Sequence, residues 1–260
     1  MSYPTPAMTV ADLLDVLVGT ARVTDSGLVI DDEGTFRAQT VRNLAWAATF
    51  SPEPAVIEAA RWLIWEASQI LGAPSASIQD LYMARGRGEV GGFTVPAVNI
   101  RTQVFDMAGA MCRAAESLDA GAFIFELARS EQEYTFQRPG EYITSVLAGC
   151  LHAGWRGPVF VQGDHYQFNA GKYAADPEAT TEAIRKLTRD AIGVGYGNID
   201  IDSSTLVDLA HGAVDEQQRT NYERAAEISA LIRSNEPADV TISIGGEISE
   251  VGKQNSTEEE

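Results

Sequence analysis

The spacing of apolar and polar positions changes once along the chain, near Gly92. Before that point the apolar period is helical. Met8–Val18 sets Leu13, Leu14 and Leu17 on one stripe behind Thr9, a hydroxyl placed to cap a helix. Val23–Asp32 is short and polar-bounded, the pattern of a hairpin or a loop. Arg37–Phe50 and Pro54–Leu71 are amphipathic, with Trp62, Ile64, Trp65 and Ile70 as bulk, and Gly72–Ala73–Pro74 ends the second. Ser77 through Arg85 predicts one more short helix. Trp46, Trp62 and Trp65 recur at helical spacing, the habit of core residues. With Arg85–Gly88 (RGRG) as a connector and no cluster of reactive side chains, residues 1–92 read as an N-terminal helical accessory region.

After Gly91, short β-branched runs alternate with helical stretches. Strands are predicted over Phe93–Ile100, Ala122–Leu127, Val159–Gln162, Asn198–Asp202 and Val240–Gly245. Helices are predicted over Gln103–Leu118, Glu141–His152 and Pro177–Ile192, with a long one within Leu206–Arg233. This alternation predicts right-handed βαβ crossovers and a parallel sheet, an α/β fold. The strand ends collect Asn99, Glu126, Asp164, His165, Asp202 and Glu247. Spread over several strands, such residues favour a TIM-type barrel over a doubly wound sheet with its single switch point. The centre of this pattern is Pro158–Tyr173, where a strand ends on Asp164–His165. That pair alone could cap a helix or face solvent, but at a strand-to-loop turn both side chains can reach one pocket. Neither GxGxxG nor GxxxxGK[ST] follows any strand, which excludes the usual dinucleotide and P-loop sites.

Charge narrows the partners. The 260 residues carry a net charge of −18, which argues against nucleic acid and anionic membranes. An anionic substrate would need a local positive site. No apolar run reaches the ~18 residues of a membrane span, and Met1–Thr20 has neither a basic start nor a cleavage site. Cys112 and Cys150 fall among apolar helical residues and read as buried free thiols, so the cytoplasm is the expected compartment.

From about Gly91 the chain resembles the class II, metal-dependent aldolases of the fructose- and tagatose-bisphosphate type. VPAVNI at Val95–Ile100 resembles the first barrel strand of that family. PVFVQGDH at Pro158–His165 resembles the third, NIDIDSS at Asn198–Ser204 the fourth and SIGGEISEVGK at Ser243–Lys253 the fifth. The resemblance implies a (β/α)8 barrel represented by about five βα units over 93–260, behind the helical region. It implies reversible cleavage of a phosphorylated ketose to dihydroxyacetone phosphate and an aldehyde, with Zn²⁺ or another divalent cation. Asp164 matches the acid/base residue, His165 a metal histidine, Asp202 and Glu247 carboxylates near the metal, and Asn99 a substrate-contacting amide. These types suit the chemistry: imidazole is a zinc donor and a carboxylate can move a hydroxyl proton. Singly, Asp202 and Glu247 would read as loop caps and Asn99 as a backbone-bonding amide.

Departures from the family pattern are Tyr166 after the Asp-His pair, and Ser249 and Lys253 where glycines are usual. The family's other two metal histidines and its phosphate loops come after the fifth strand, whereas His152 and His211 here fall before the third strand and in the helix after the fourth. The resemblance therefore implies a barrel interrupted after five strands, silent by itself, and forming a homo-oligomer or pairing with a separate C-terminal half. Ser256–Glu260 reads as the start of a further helix. A Schiff-base aldolase is disfavoured, because Lys172, Lys186 and Lys253 fall in a loop, a helix and the tail. The rival readings are a non-catalytic binding or assembly module and another metal-dependent barrel lyase.

Overall fold

A computed structural model describes residues 5–248. Helix α1 (Val10–Asp15) opens on a capping box: Thr9 Oγ1 accepts from the Asp12 amide, and Asp12 Oδ2 accepts from the Thr9 amide. Strands β1 (Ala21–Thr24) and β2 (Gly27–Ile30) form an antiparallel hairpin. Then come α2 (Glu33–Thr35), a π-helical turn over Phe36–Thr40, α3 (Val41–Phe50), α4 (Pro54–Ile70), β3 (Ser75–Ala76) and α5 (Gln79–Gly86). The remainder alternates: β4 (Ala97–Asn99), α6 (Val104–Ser117), β5 (Ile124–Ala128), α7 (Arg129–Tyr134), α8 (Pro139–Ala153), β6 (Val159–Gln167), α9 (Ala170–Ala175), α10 (Pro177–Gly193), β7 (Asn198–Asp202), α11 (Val214–Asn235) and β8 (Ser243–Gly246). Local signals place the ends. Pro54 and Pro177 open α4 and α10, the Asp176 carboxylate caps α10 on the Ala179 amide, and Gly154 at φ 88° closes α8.

The protein is α/β with a mostly parallel sheet. The strand order is β4-β5-β6-β7-β8, with β3 also paired to β6, so from β4 onward it follows chain order. The pairs β3–β6, β6–β7 and β7–β8 are parallel. Among the described residues no helix is long and apolar enough to cross a membrane.

The chain forms two compact units. The first comprises Met1–Ala76, Val95–Phe125 and Thr135–Phe160. Its core is helical, and α4 buries Val56, Ala60, Leu63, Ile64 and Ala67 along one stripe. Trp62 lies off that stripe and is 41% exposed, Ile70 is exposed, and Trp46 and Trp65 are only half-buried. The expectation that these tryptophans form the core is thereby corrected: aliphatic residues one position away fill it. Where α6 meets α8, Gly109 and Gly149 allow close approach, since a Cβ on Gly149 would collide with the Phe105 carbonyl. The Arg37 guanidinium is buried and donates to Glu33, to the Leu71 carbonyl and to the Leu151 carbonyl.

The second unit comprises Ser77–Thr94, Glu126–Tyr134 and Val161–Glu260. Here Asn198 ties backbone together, accepting from the Ile78 amide and donating to the Val161 carbonyl. Helices α10 and α11 join through Arg185, which donates to Glu227. Two strand expectations are corrected. FTVPAVNI yields only Ala97–Asn99, because Pro96 has no N–H to donate to a ladder. The strand expected to stop at Gln162 runs on to Gln167. His211 precedes α11 instead of lying in it, and Lys172 is in α9 instead of a loop. Ser249, Lys253 and Ser256–Glu260 lie outside the described residues.

Candidate metal centre

The site is made by an irregularity in β6. Against β7, Gly163 pairs with Ile199 and Tyr166 with Ile201, so Asp164 and His165 together oppose the single residue Asp200. This is a β-bulge: one extra residue on one strand re-aims its neighbours. His165 takes up the geometry with φ 41°, in the left-handed region. Gly163 is required beside it, since a Cβ there would strike the Tyr166 ring, which is fully buried across that position. The result gathers Asp164, His165 and Asp200 so that one donor atom from each lies within 4.8 Å of the others.

His165 is held from behind. Its Nδ1–H donates to Asp202 Oδ2 at 3.1 Å, which turns Nε2 toward Asp164 Oδ1 at 3.4 Å and Glu247 Oε1 at 3.9 Å. Asp202 is only 2% exposed and fully engaged. Its Oδ2 also accepts from Gln167 Nε2, and its Oδ1 accepts from the Ser204 hydroxyl and amide. Burial would raise the Asp202 carboxyl, but these donors outweigh it and hold the group below the usual range. Burial likewise opposes the imidazolium of His165, yet the Asp202 hydrogen bond and the Asp164 and Asp200 carboxylates raise its pKa.

Two further carboxyls are pushed the other way. Asp200 rises to about 6, first through burial and then through Glu247, Asp164 and Asp202. Glu126 rises to about 7, through burial and the charges of Asp164 and Asp200, although Gln162 Nε2 donates to it at 2.8 Å. Neighbouring carboxylates that resist simultaneous ionisation are what a cation relieves. Space for Asp200 comes from β8: Gly245 pairs with it, and a Cβ there would collide with its carboxylate.

Beside this cluster lies a pocket of about 140 Å³ lined by Arg129, Ser130, Glu133, His165, Asn169 and Lys172. Arg129 is fixed by donating to the Gln167 carbonyl at 2.8 Å.

Of the residues expected from sequence, Asp164, His165, Asp202 and Glu247 lie together around the imidazole. Asn99 ends β4 in the first unit. The donor set that geometry gathers differs from the expected His165, Asp202 and Glu247. Asp200 joins it, and Asp202 serves as the outer carboxylate that orients the imidazole, a usual supporting role around metals. Asp200 was legible: in NIDID, Asn198, Asp200 and Asp202 share one face of the strand, opposite Ile199 and Ile201. Glycine inside an apolar strand, as at Gly163, is the available signal for the bulge. No protein-family model matches the chain, and no curated protein matches it.

Proposed function

We propose that this chain carries a metal-dependent aldolase site of the ketose-bisphosphate type, on part of a TIM-type barrel. The observation that carries the reading is the bulge in β6, which sets Asp164 and His165 side by side against Asp200, with Asp202 behind the imidazole. The chain order of the strands from β4 to β8, with β6–β7 and β7–β8 parallel, supports the barrel, because a doubly wound sheet would reverse its order. One imidazole nitrogen and two carboxylate oxygens fit a divalent cation, Zn²⁺ or another, and His165, Asp164 and Asp200 would hold it. Bound there, it would supply Lewis-acid charge beside a substrate carbonyl.

The chain's own residues account for the rest. Asp164, through the carboxylate oxygen not given to the cation, is the candidate that takes the proton of the C4 hydroxyl. The C3–C4 bond then breaks, its electron pair passing toward the C2 carbonyl, and C4 leaves as an aldehyde. Protonation at C3 completes dihydroxyacetone phosphate. Asp202 keeps His165 oriented, and Glu247 lies at the rim of the same group. Arg129 and Lys172 supply the local positive charge that a phosphorylated ketose needs against a net charge of −18. The two unlinked thiols fit a reducing cytoplasm.

A second reading, a metal-binding module without turnover, is favoured by the single imidazole in the donor set. The test is release of dihydroxyacetone phosphate from fructose and tagatose bisphosphates by cation-loaded protein. Going beyond the silent barrel that the resemblance implies, the aldolase reading expects release that a chelator abolishes and that Asp164→Asn lacks. A cation-loaded chain that cleaves neither sugar overturns it in favour of the module.

A further inference from the structure

We infer that Cys112 and Cys150 form a latent site of oxidative cross-linking between α6 and α8, with a peroxide as the class of oxidant. Both residues lie in the first unit and both are wholly buried. The two thiols are unlinked, and the Cys112 S–H donates to Cys150 Sγ at 3.2 Å. A disulfide needs ~2.05 Å between sulfurs, so closure asks for about 1 Å of combined movement.

The backbone supplies the rest of the geometry. Gly109 precedes Cys112 by one helical turn, and Gly149 adjoins Cys150. A Cβ on Gly109 would sit 3.1 Å from the Gly149 carbonyl, and one on Gly149 would collide with the Phe105 carbonyl. Two helices touching at glycines have no side chain left to spread them apart. The thiols beside the contact are therefore held face to face in one register.

The chemistry balances with one peroxide. One thiol, as thiolate, attacks a peroxide oxygen; the O–O bond breaks, giving a sulfenic acid and water. The second thiol attacks that sulfur, the S–S bond forms, and a second water leaves. Two electrons and two protons pass from the cysteines to the peroxide. Because both sulfurs are buried, the first step waits on a local opening of the helix pair. The cross-link then closes a loop between positions 38 apart in sequence, which restricts the unfolded chain.

The test is to treat the folded, reduced chain with hydrogen peroxide, unfold it, alkylate with iodoacetamide and weigh it. The expected protein is lighter by about 2 Da, takes up no alkyl group, and yields a peptide joining α6 to α8. Its Tm rises by about 5–10 °C, and dithiothreitol reverses both changes. Cys112→Ala and Cys150→Ala each lose the cross-link, while the wild-type mass is decisive whether or not those variants fold. Two alkyl groups on protein whose methionines have been oxidised would overturn the inference. So would sulfinic acid without a joined peptide, a link between two chains, or a cross-linked chain with a lower Tm.

Discussion

In the first unit the buried Arg37 guanidinium finds a carboxylate and two carbonyls, so each of its nitrogens has a partner. In the second unit the buried and half-buried carboxyls Glu126, Asp164, Asp200 and Asp202 crowd around one imidazole, and two of them are driven toward neutrality. Both arrangements take ionic groups out of water. Arg37 is satisfied by the chain itself, whereas in the carboxyl cluster Glu126 and Asp200 are pushed toward neutrality, a crowding that a cation would relieve. The contrast teaches where to look for function: a locally unfavourable arrangement that the fold nevertheless preserves. The bulge at Asp164–His165, with its left-handed histidine, is the backbone counterpart of the same expense.

The difference can be broken from either side. The largest effect is expected in the first unit. Arg37→Met removes three hydrogen bonds at once, to Glu33 and to the Leu71 and Leu151 carbonyls, which keep only the Arg156 guanidinium and the Gly154 amide, at a loss of about 3 kcal/mol. Urea unfolding measures it, and a loss below about 1 kcal/mol would mean that water replaces the guanidinium.

The second unit should respond with the opposite sign. Glu126 has a folded pKa of about 7 against an ordinary 4.5. Between these values the folded chain keeps a proton that the unfolded chain has released, so stability falls as pH rises through that window. The loss is complete above pH 7 and is at most about 3 kcal/mol. Glu126→Gln keeps an oxygen for Gln162 and removes the charge. It should raise Tm at pH 8 and flatten the Tm profile from pH 4.5 to 7. Asp200, raised from 3.8 to about 6, leaves a slightly smaller loss of the same sign at lower pH. An unchanged profile would show that Glu126 is solvated.

Much of this was legible in the sequence. The capping box at Thr9, the prolines opening α4 and α10, and the NIDID strand were placed by local chemistry that tertiary contacts did not override. Polar residues at strand ends led to Asp164, His165, Asp202 and Glu247. The division of labour among them was not legible. The apolar run ended at Gln162, but the strand continues because Gln167 and Tyr166 still pair with β7. The bulge that turns Asp164 and His165 toward Asp200 depends on cross-strand register, which no single strand encodes. Asp202 was expected near the metal from the resemblance alone; that Gln167, Ser204 and His165 converge on its carboxylate is a tertiary property.

That division gives a smaller, sharper prediction. Asp202→Asn should leave the donors in place and loosen the imidazole, weakening divalent-cation affinity by roughly 10- to 100-fold. An Asp202→Asn variant that binds no cation at all would make Asp202 a direct ligand instead.

The most direct measurement is a calorimetric titration of the folded chain with Zn²⁺ and with Mn²⁺, comparing the wild type with Asp200→Asn. Removing a direct donor should cost more than loosening one, so the variant should bind at least about 100-fold more weakly than the wild type. Because the raised Asp200 carboxyl must lose its proton to bind, wild-type binding at pH 6 should also release protons, seen as a dependence of the heat on buffer. Equal affinity of the two proteins would contradict the assignment of Asp164, His165 and Asp200 as one cation site.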